Sequence, residues 1–259
     1  MLAPLSFSPE IPVSDMLATP QQSESFARLR YTINSKGFGV ITGTPGTGKS
    51  SLIRLLESSL DKSRFLLCYI NETDLKPKTL YLRLLAALAI IPAAYLDKLK
   101  KQFREAILQL YQSQDRLPVI VIDNAQELPV QTLRELRYLI RFDMDSASVL
   151  TLILAGHPEL WDTLKLRTFE PLRQCVTTHY RITALDEAQT KEYIVHQLKL
   201  SDMSICFPDD VVKRIYQFTS GIPRIINAVC RHCLIDIESN HLDLVDTQVT
   251  ERVLNEFRN

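Results

Sequence analysis

The stretch "FGVITGTPGTGKSSLIRLL", residues 38–56, decides the fold, because three patterns meet in it. "FGVIT" (38–42) is a short apolar run of the kind that forms a buried parallel strand, and "SSLIRLLESSL" (50–60) has helical spacing. Between them, "GTPGTGKS" (43–50) satisfies G-x-x-x-x-G-K-[ST] in full. Gly43, Gly46 and Gly48 let the backbone curl so that its N–H groups point at phosphates, and the helix start adds favourable partial charge. Lys49 is placed to reach the β- and γ-phosphates, and Ser50 to ligand Mg²⁺. Thr44, Pro45, Thr47 and Ser51 complete the expected ATP-binding segment. A glycine-rich turn that matched by chance would need neither the strand before it nor the helix after it.

Outward from this segment, further apolar runs are expected as strands: "FLLCYI" (65–70), "PVIVID" (118–123), "VLTLILA" (149–155) and "THYRI" (178–182). They alternate with helical patterns, which implies a three-layer α/β fold with a parallel five-stranded sheet. From "LDEAQTKEYIVHQLKL" (185–200) onward the pattern is helical only. Residues up to Pro20 are proline-rich and without periodicity. The expected organisation is an extended surface arm over 1–20, an α/β nucleotide-binding domain over 21–184 and a small helical lid over 185–259.

Thirty basic residues balance thirty acidic ones, so nucleic-acid binding would need a local basic patch rather than a basic chain. The five cysteines are odd in number and scattered, which argues against a disulfide framework. Cys230 and Cys233 flank His232 in "CRHC", but no second ligand pair accompanies them, and helix packing is the expected role. The N-terminus lacks a basic region followed by an apolar one, and no apolar window approaches a membrane span. The expectation is a soluble, cytoplasmic protein.

"VIVIDNAQEL" (119–128) ends a buried run on Asp123, where a carboxylate can hold Mg²⁺ through water. The next residue, Asn124, stands where many ATP-hydrolysing proteins carry the glutamate that orients the attacking water. An amide can position a water but cannot take its proton, so hydrolysis is expected to be slow or conditional. Glu127, four residues after Asp123, is the candidate substitute.

With "GFGVITGTPGTGKSSLIRLL", "VIVIDNAQEL", "LILAGHPEL" and "TSGIPRIINAVC" in this order, the chain resembles the AAA+ ATPases of the ExeA-like branch. Within that branch it looks most like the short transposition regulators of the TnsC, TniB, IstB and MuB type. The resemblance implies a P-loop AAA+ domain with a helical lid and roles for further residues. In "AGHPEL", His157 matches the sensor 1 position, with capping of the following helix as the alternative. In "GIPR", Arg224 matches sensor 2, with a solvated surface arginine as the alternative. Relatives often carry Gln-Arg before the fifth strand, whereas this chain reads "LRQCV" with Cys175 at that place. Arg173 is the nearest candidate for a trans-acting arginine, with Arg167 and Arg181 behind it.

Residues 76–104 carry Lys76, Lys78, Arg83, Lys98, Lys100, Lys101 and Arg104 against Asp97, seven cations to one acid, a local excess of six. Such a patch can neutralise phosphates without reading bases, although "DKLKKQFREAI" would also suit a solvated helix face. In the resembling family this region tracks duplex DNA inside a ring or filament. The implied function is an ATP-dependent, sequence-nonspecific DNA-binding homo-oligomer that recruits or activates a transposase together with a target-selection protein. The rivals are a signalling switch or helicase loader acting on a protein partner, and a secretion-associated ATPase. The last would normally bring a membrane span and a peptidoglycan-binding region, which this sequence does not show.

Overall fold

The computed structural model describes residues 7–8, 11–142, 148–200, 205–240, 242 and 244–258. Five strands, β1 (Phe38–Gly43), β2 (Phe65–Ile70), β3 (Leu117–Ile122), β4 (Thr151–Gly156) and β5 (Val176–Ile182), form one sheet in the order β2-β3-β4-β1-β5. Every pairing is parallel. All five expected strands are present, β2 at the expected bounds and the other four with ends moved by one or two residues. β2, which follows the phosphate segment in sequence, lies at the sheet edge, and β4 is the strand that separates β1 from β3 in space.

β1, β3 and β4 are buried along their whole length, which is why they read as continuous apolar runs instead of alternating ones. Successive side chains still divide between two faces. Phe38, Val40, Ile120, Ile122, Leu152 and Leu154 form one core with helices α3 (Pro77–Ala87), α4 (Leu96–Ser113), α5 (Val130–Leu139), α6 (Pro158–Lys165) and α7 (Glu170–Arg173). Ile41, Val119, Val121, Ile153 and Ala155 form another with α1 (Pro20–Asn34) and α2 (Lys49–Ser59). Helices on both faces of a parallel sheet make the three expected layers.

Two compact units result. One comprises Gln22–Gly43 and Lys49–Ile182; the other comprises Thr44–Gly48 with the described parts of Met1–Gln21 and Thr183–Asn259. The second unit is built on α8 (Glu187–Lys199), α9 (Asp209–Thr219), α10 (Pro223–Ser239) and α11 (Thr247–Glu256). Asp186 caps α8 in a reciprocal box with Gln189, and Asp246 caps α11. At the turn into α10, Ser220 and Gly221 are both left-handed, and Leu185 donates its N–H to the Gly221 carbonyl at 2.9 Å. A Cβ on Gly221 would lie 1.8 Å from the Leu185 carbonyl oxygen. Only glycine fits there.

Cys230 and Cys233 are buried in the core of this unit, and burial pushes the Cys233 thiol up to about 12. His232 lies on the outer side of α10, its ring 5.0 Å from that of Phe257. Cys230, Cys233 and His232 therefore do not converge on one point. Where composition suggests an arm over the surface, Phe7 is fully buried in the helical core, 6.4 Å from the Phe207 ring, and Arg231 donates to its carbonyl. An aromatic side chain gains more from burial than the proline-rich context around it indicates. Among the described residues no helix is long and apolar enough to cross a membrane.

Candidate nucleotide site

The chemistry gathers where β1, β2, β3 and β4 end. Lys49 opens α2 with its side chain largely buried, and its Nζ donates to the Gly43 carbonyl at 2.7 Å. One residue on, Ser50 Oγ donates to Asp123 Oδ2 at 3.3 Å. Asp123 follows β3 directly and is 4% exposed. A carboxylate so buried is costly unless hydrogen bonds replace its water. Two more donors do so: Tyr69 OH at 2.9 Å from Oδ2, and the Asn124 N–H at 2.9 Å from Oδ1. The Asp123 N–H in turn donates to the Ile70 carbonyl at 2.8 Å, tying the ends of β2 and β3 together. Burial, and then the bond to Asp123, push the Tyr69 phenol up to about 12, so it remains a donor at neutral pH.

Asn124 is left-handed, with φ 53° and ψ 35°, a conformation asparagine tolerates better than most residues. Its Nδ2 donates to Asn71 Oδ1 at 2.7 Å. The neutral residue thus answers a backbone requirement as well as a chemical one. Glu127, the candidate substitute, closes the short turn Ala125–Glu127 and is exposed. His157 occupies the N-cap position of α6 without a side-chain capping bond. What is held is its backbone: the His157 N–H donates to Gln126 Oε1 at 2.9 Å.

Tyr69, Asn71 and Gln126 are the residues a reading of the sequence misses. Tyr69 and Asn71 flank the last residue of "FLLCYI", and parallel pairing of β2 with β3 carries them to the end of the neighbouring strand. The available signal was the polar tail of an apolar run.

In the helical unit, Thr44–Gly48 is a tight loop: Gly46 and Gly48 have φ of 84° and 102°, and Thr47 Oγ1 donates to the Thr44 carbonyl at 2.9 Å. Arg224, early in α10, donates its backbone N–H to the Gly46 carbonyl at 3.3 Å, and its side chain is exposed. A Cβ on Gly46 would come within 2.7 Å of the Arg224 Cβ.

Arg173 is chelated by Glu170 of its own chain, with contacts of 2.7 to 3.0 Å, and this ion pair holds the Glu170 carboxyl below its usual range. Arg167 and Arg181 are exposed and outside the ion pairs of the described residues.

The basic segment is less unbalanced in space than in sequence. Lys100 pairs with Glu135 at 2.8 Å, Arg83 with Glu72 at 2.6 Å, Lys76 with Asp74 at 3.8 Å and Lys101 with Glu105 at 3.8 Å. Arg104 donates to the Arg141 carbonyl and stacks over Phe142 at 4.5 Å. Glu72, Asp74 and Glu105 stand just beyond the ends of residues 76–104, and Glu135 is brought beside them by α5, so the local excess of six is partly neutralised. Lys78 and Lys98 are exposed and outside the ion pairs of the described residues.

A family model described as "AAA domain" matches residues 32–164. The chain is 29% identical over 240 residues to general secretion pathway protein A of Aeromonas hydrophila, covering 90% of this chain but 42% of that protein. Among solved structures it is similar to Cdc6p from Pyrobaculum aerophilum, with a TM-score of 0.74, 18% identity, and coverage of 97% of this chain and 70% of that one. It is also similar to the Aeropyrum pernix ORC1 protein in complex with DNA, with a TM-score of 0.69, 16% identity, and coverage of 97% and 68%. The phosphate segment between β1 and α2, Asp123 after β3 and a matching model over half of the sequence agree: the chain belongs to the AAA domain family.

Proposed function

We propose that this protein is a slow ATPase whose ATP-bound state assembles on duplex DNA and acts there as a regulator of a transposase. One observation carries the nucleotide half of the reading: a buried carboxylate, Asp123, in contact with Ser50 and followed by the neutral Asn124. Hydroxyl and carboxylate oxygens suit a hard divalent cation, so the donor set fits Mg²⁺. When bound, the ion would neutralise charge on the β- and γ-phosphate oxygens. In this reading Lys49 holds the phosphates as a point charge, and Ser50 and Asp123 hold the ion directly or through water. His157 and Arg224 act as sensors of the terminal phosphate. Asn124 orients water by hydrogen bonding and removes no proton, which favours a long-lived ATP state.

The DNA half is supported by the resemblance to transposition regulators and by the DNA complex of the ORC1 protein, a structural neighbour. Its contacts would fall on Lys78 and Lys98 with contributions from Lys76, Lys100, Lys101 and Arg104. Backbone contacts of this kind tolerate any sequence. Arg173, or Arg167 or Arg181 in its place, would reach a neighbouring copy's nucleotide in a ring or filament. The transposase and target-selection protein rest on the resemblance alone.

A second reading, a secretion-associated ATPase, is favoured by the likeness to general secretion pathway protein A. Because the chain spans 42% of that protein, segments found only in the longer protein say nothing for or against it. Sedimentation with random duplex DNA separates the two. The transposition reading expects ATP-dependent, ADP-sensitive pelleting that Lys49→Ala abolishes; equal pelleting with ATP, ADP or no nucleotide would favour the rival.

A further inference from the structure

Three consecutive residues at the end of β2 meet Asp123 and Asn124: Ile70 through its carbonyl, Asn71 through its amide and Tyr69 through its hydroxyl. Tyr69 stands out, because it is 47% exposed and yet directs its hydroxyl at a carboxylate that is 4% exposed. On an edge strand its ring had open solvent available on one side. Instead it shares Asp123 Oδ2 with Ser50, while Oδ1 takes the Asn124 N–H. An ionised carboxylate offers about four accepting positions. Two donors on Oδ2 and one on Oδ1 leave the remaining capacity on Oδ1.

We infer that Tyr69 is a positioning residue for the divalent cation: by occupying Oδ2 it fixes the Asp123 carboxylate and reserves Oδ1 for Mg²⁺ or its water. The inference rests on the proposed role of Asp123 as a Mg²⁺ holder. The geometry supports it: the Tyr69 hydroxyl donates to Oδ2 at 2.9 Å beside the Ser50 hydroxyl, whereas Oδ1 takes one backbone N–H. Partners of this outer kind orient metal ligands, and their loss weakens metal binding by about 10- to 100-fold. Tyr69 is half exposed, so the lower end applies.

The test uses the whole chain and a fluorescent ATP analogue, titrated with Mg²⁺ and, separately, in excess chelator. Tyr69→Phe keeps the ring and removes the hydroxyl. The expected result is unchanged analogue affinity in chelator and about a tenfold rise in the Mg²⁺ concentration needed for half-maximal tightening. A Mg²⁺ titration superposable on the parent's would overturn the inference. So would an equal loss of affinity in chelator, which would make Tyr69 merely structural. Asp123→Asn runs alongside. It should abolish the Mg²⁺-dependent tightening; if the tightening persists, the Mg²⁺ role of Asp123 falls first, and the role of Tyr69 with it.

Discussion

Asn124 shows how one position can satisfy two demands. Its left-handed backbone, φ 53°, comes two residues after the end of the buried strand β3, and asparagine meets that geometry at less cost than a longer side chain would. Its Nδ2 donates to Asn71 Oδ1 at 2.7 Å, and no carboxylate stands at this place. Glu127 is exposed at the end of the next turn, and its carboxylate is not among the groups hydrogen-bonded to Asp123 in the described residues. Glu127→Gln is therefore expected to leave the ATP hydrolysis rate within about twofold of the parent, well short of the 10²- to 10⁴-fold that a catalytic base contributes. A single-turnover rate lowered by about tenfold or more would show that Glu127 handles the water. The sequence made Asn124 conspicuous by its chemistry. It did not show the left-handed backbone, because that depends on how β3 meets the turn at Ala125.

At the scale of elements, legibility followed sequence distance. The phosphate segment, the strand before it and the helix after it are one contiguous pattern, and the structure reproduces it. The groups around Asp123 come from elsewhere: Tyr69 is 54 residues away, and the Gln126 contact to His157 spans 31. No local window contains both partners. The basic segment is partly balanced by acids outside its bounds: Glu72, Asp74 and Glu105 stand close by in sequence, and Glu135 comes from α5. Lys100 is consequently a poor probe of DNA contact, since reversing it would set two acids against each other at Glu135. Reversing Lys78, Lys98 and Lys101 to Glu should instead weaken duplex binding for all sequences alike and reduce its salt slope, with ATP affinity unchanged. Binding as tight as the parent's at physiological salt would reduce these lysines to a solvated face. In the helical unit, Gly221→Ala meets both a φ of 71° and a 1.8 Å approach to Leu185. The expected cost is at least about 2 kcal/mol, read as a lower unfolding midpoint; an unchanged midpoint would mean that the α9–α10 turn relaxes freely.

In the whole molecule, one sheet unit carries Lys49, Ser50, Asp123 and Asn124, the groups on which the behaviour of a switch would depend. The chain holds Asp123 with three donors and follows it with a neutral residue, an arrangement suited to keeping Mg²⁺-ATP rather than spending it. Such a state would last long enough for copies to gather on DNA. A motor would need a general base at the attacking water, worth about 10²- to 10⁴-fold in rate. The central claim is thus that Asn124 limits turnover. Single-turnover ATP hydrolysis by the parent and by Asn124→Glu tests it most directly. Slow turnover is expected in the parent and a clear acceleration in the variant, despite the roughly 1 kcal/mol that a glutamate would cost in the left-handed conformation. A parent that already turns over at several per second, or an Asn124→Glu variant no faster than it, would contradict the claim.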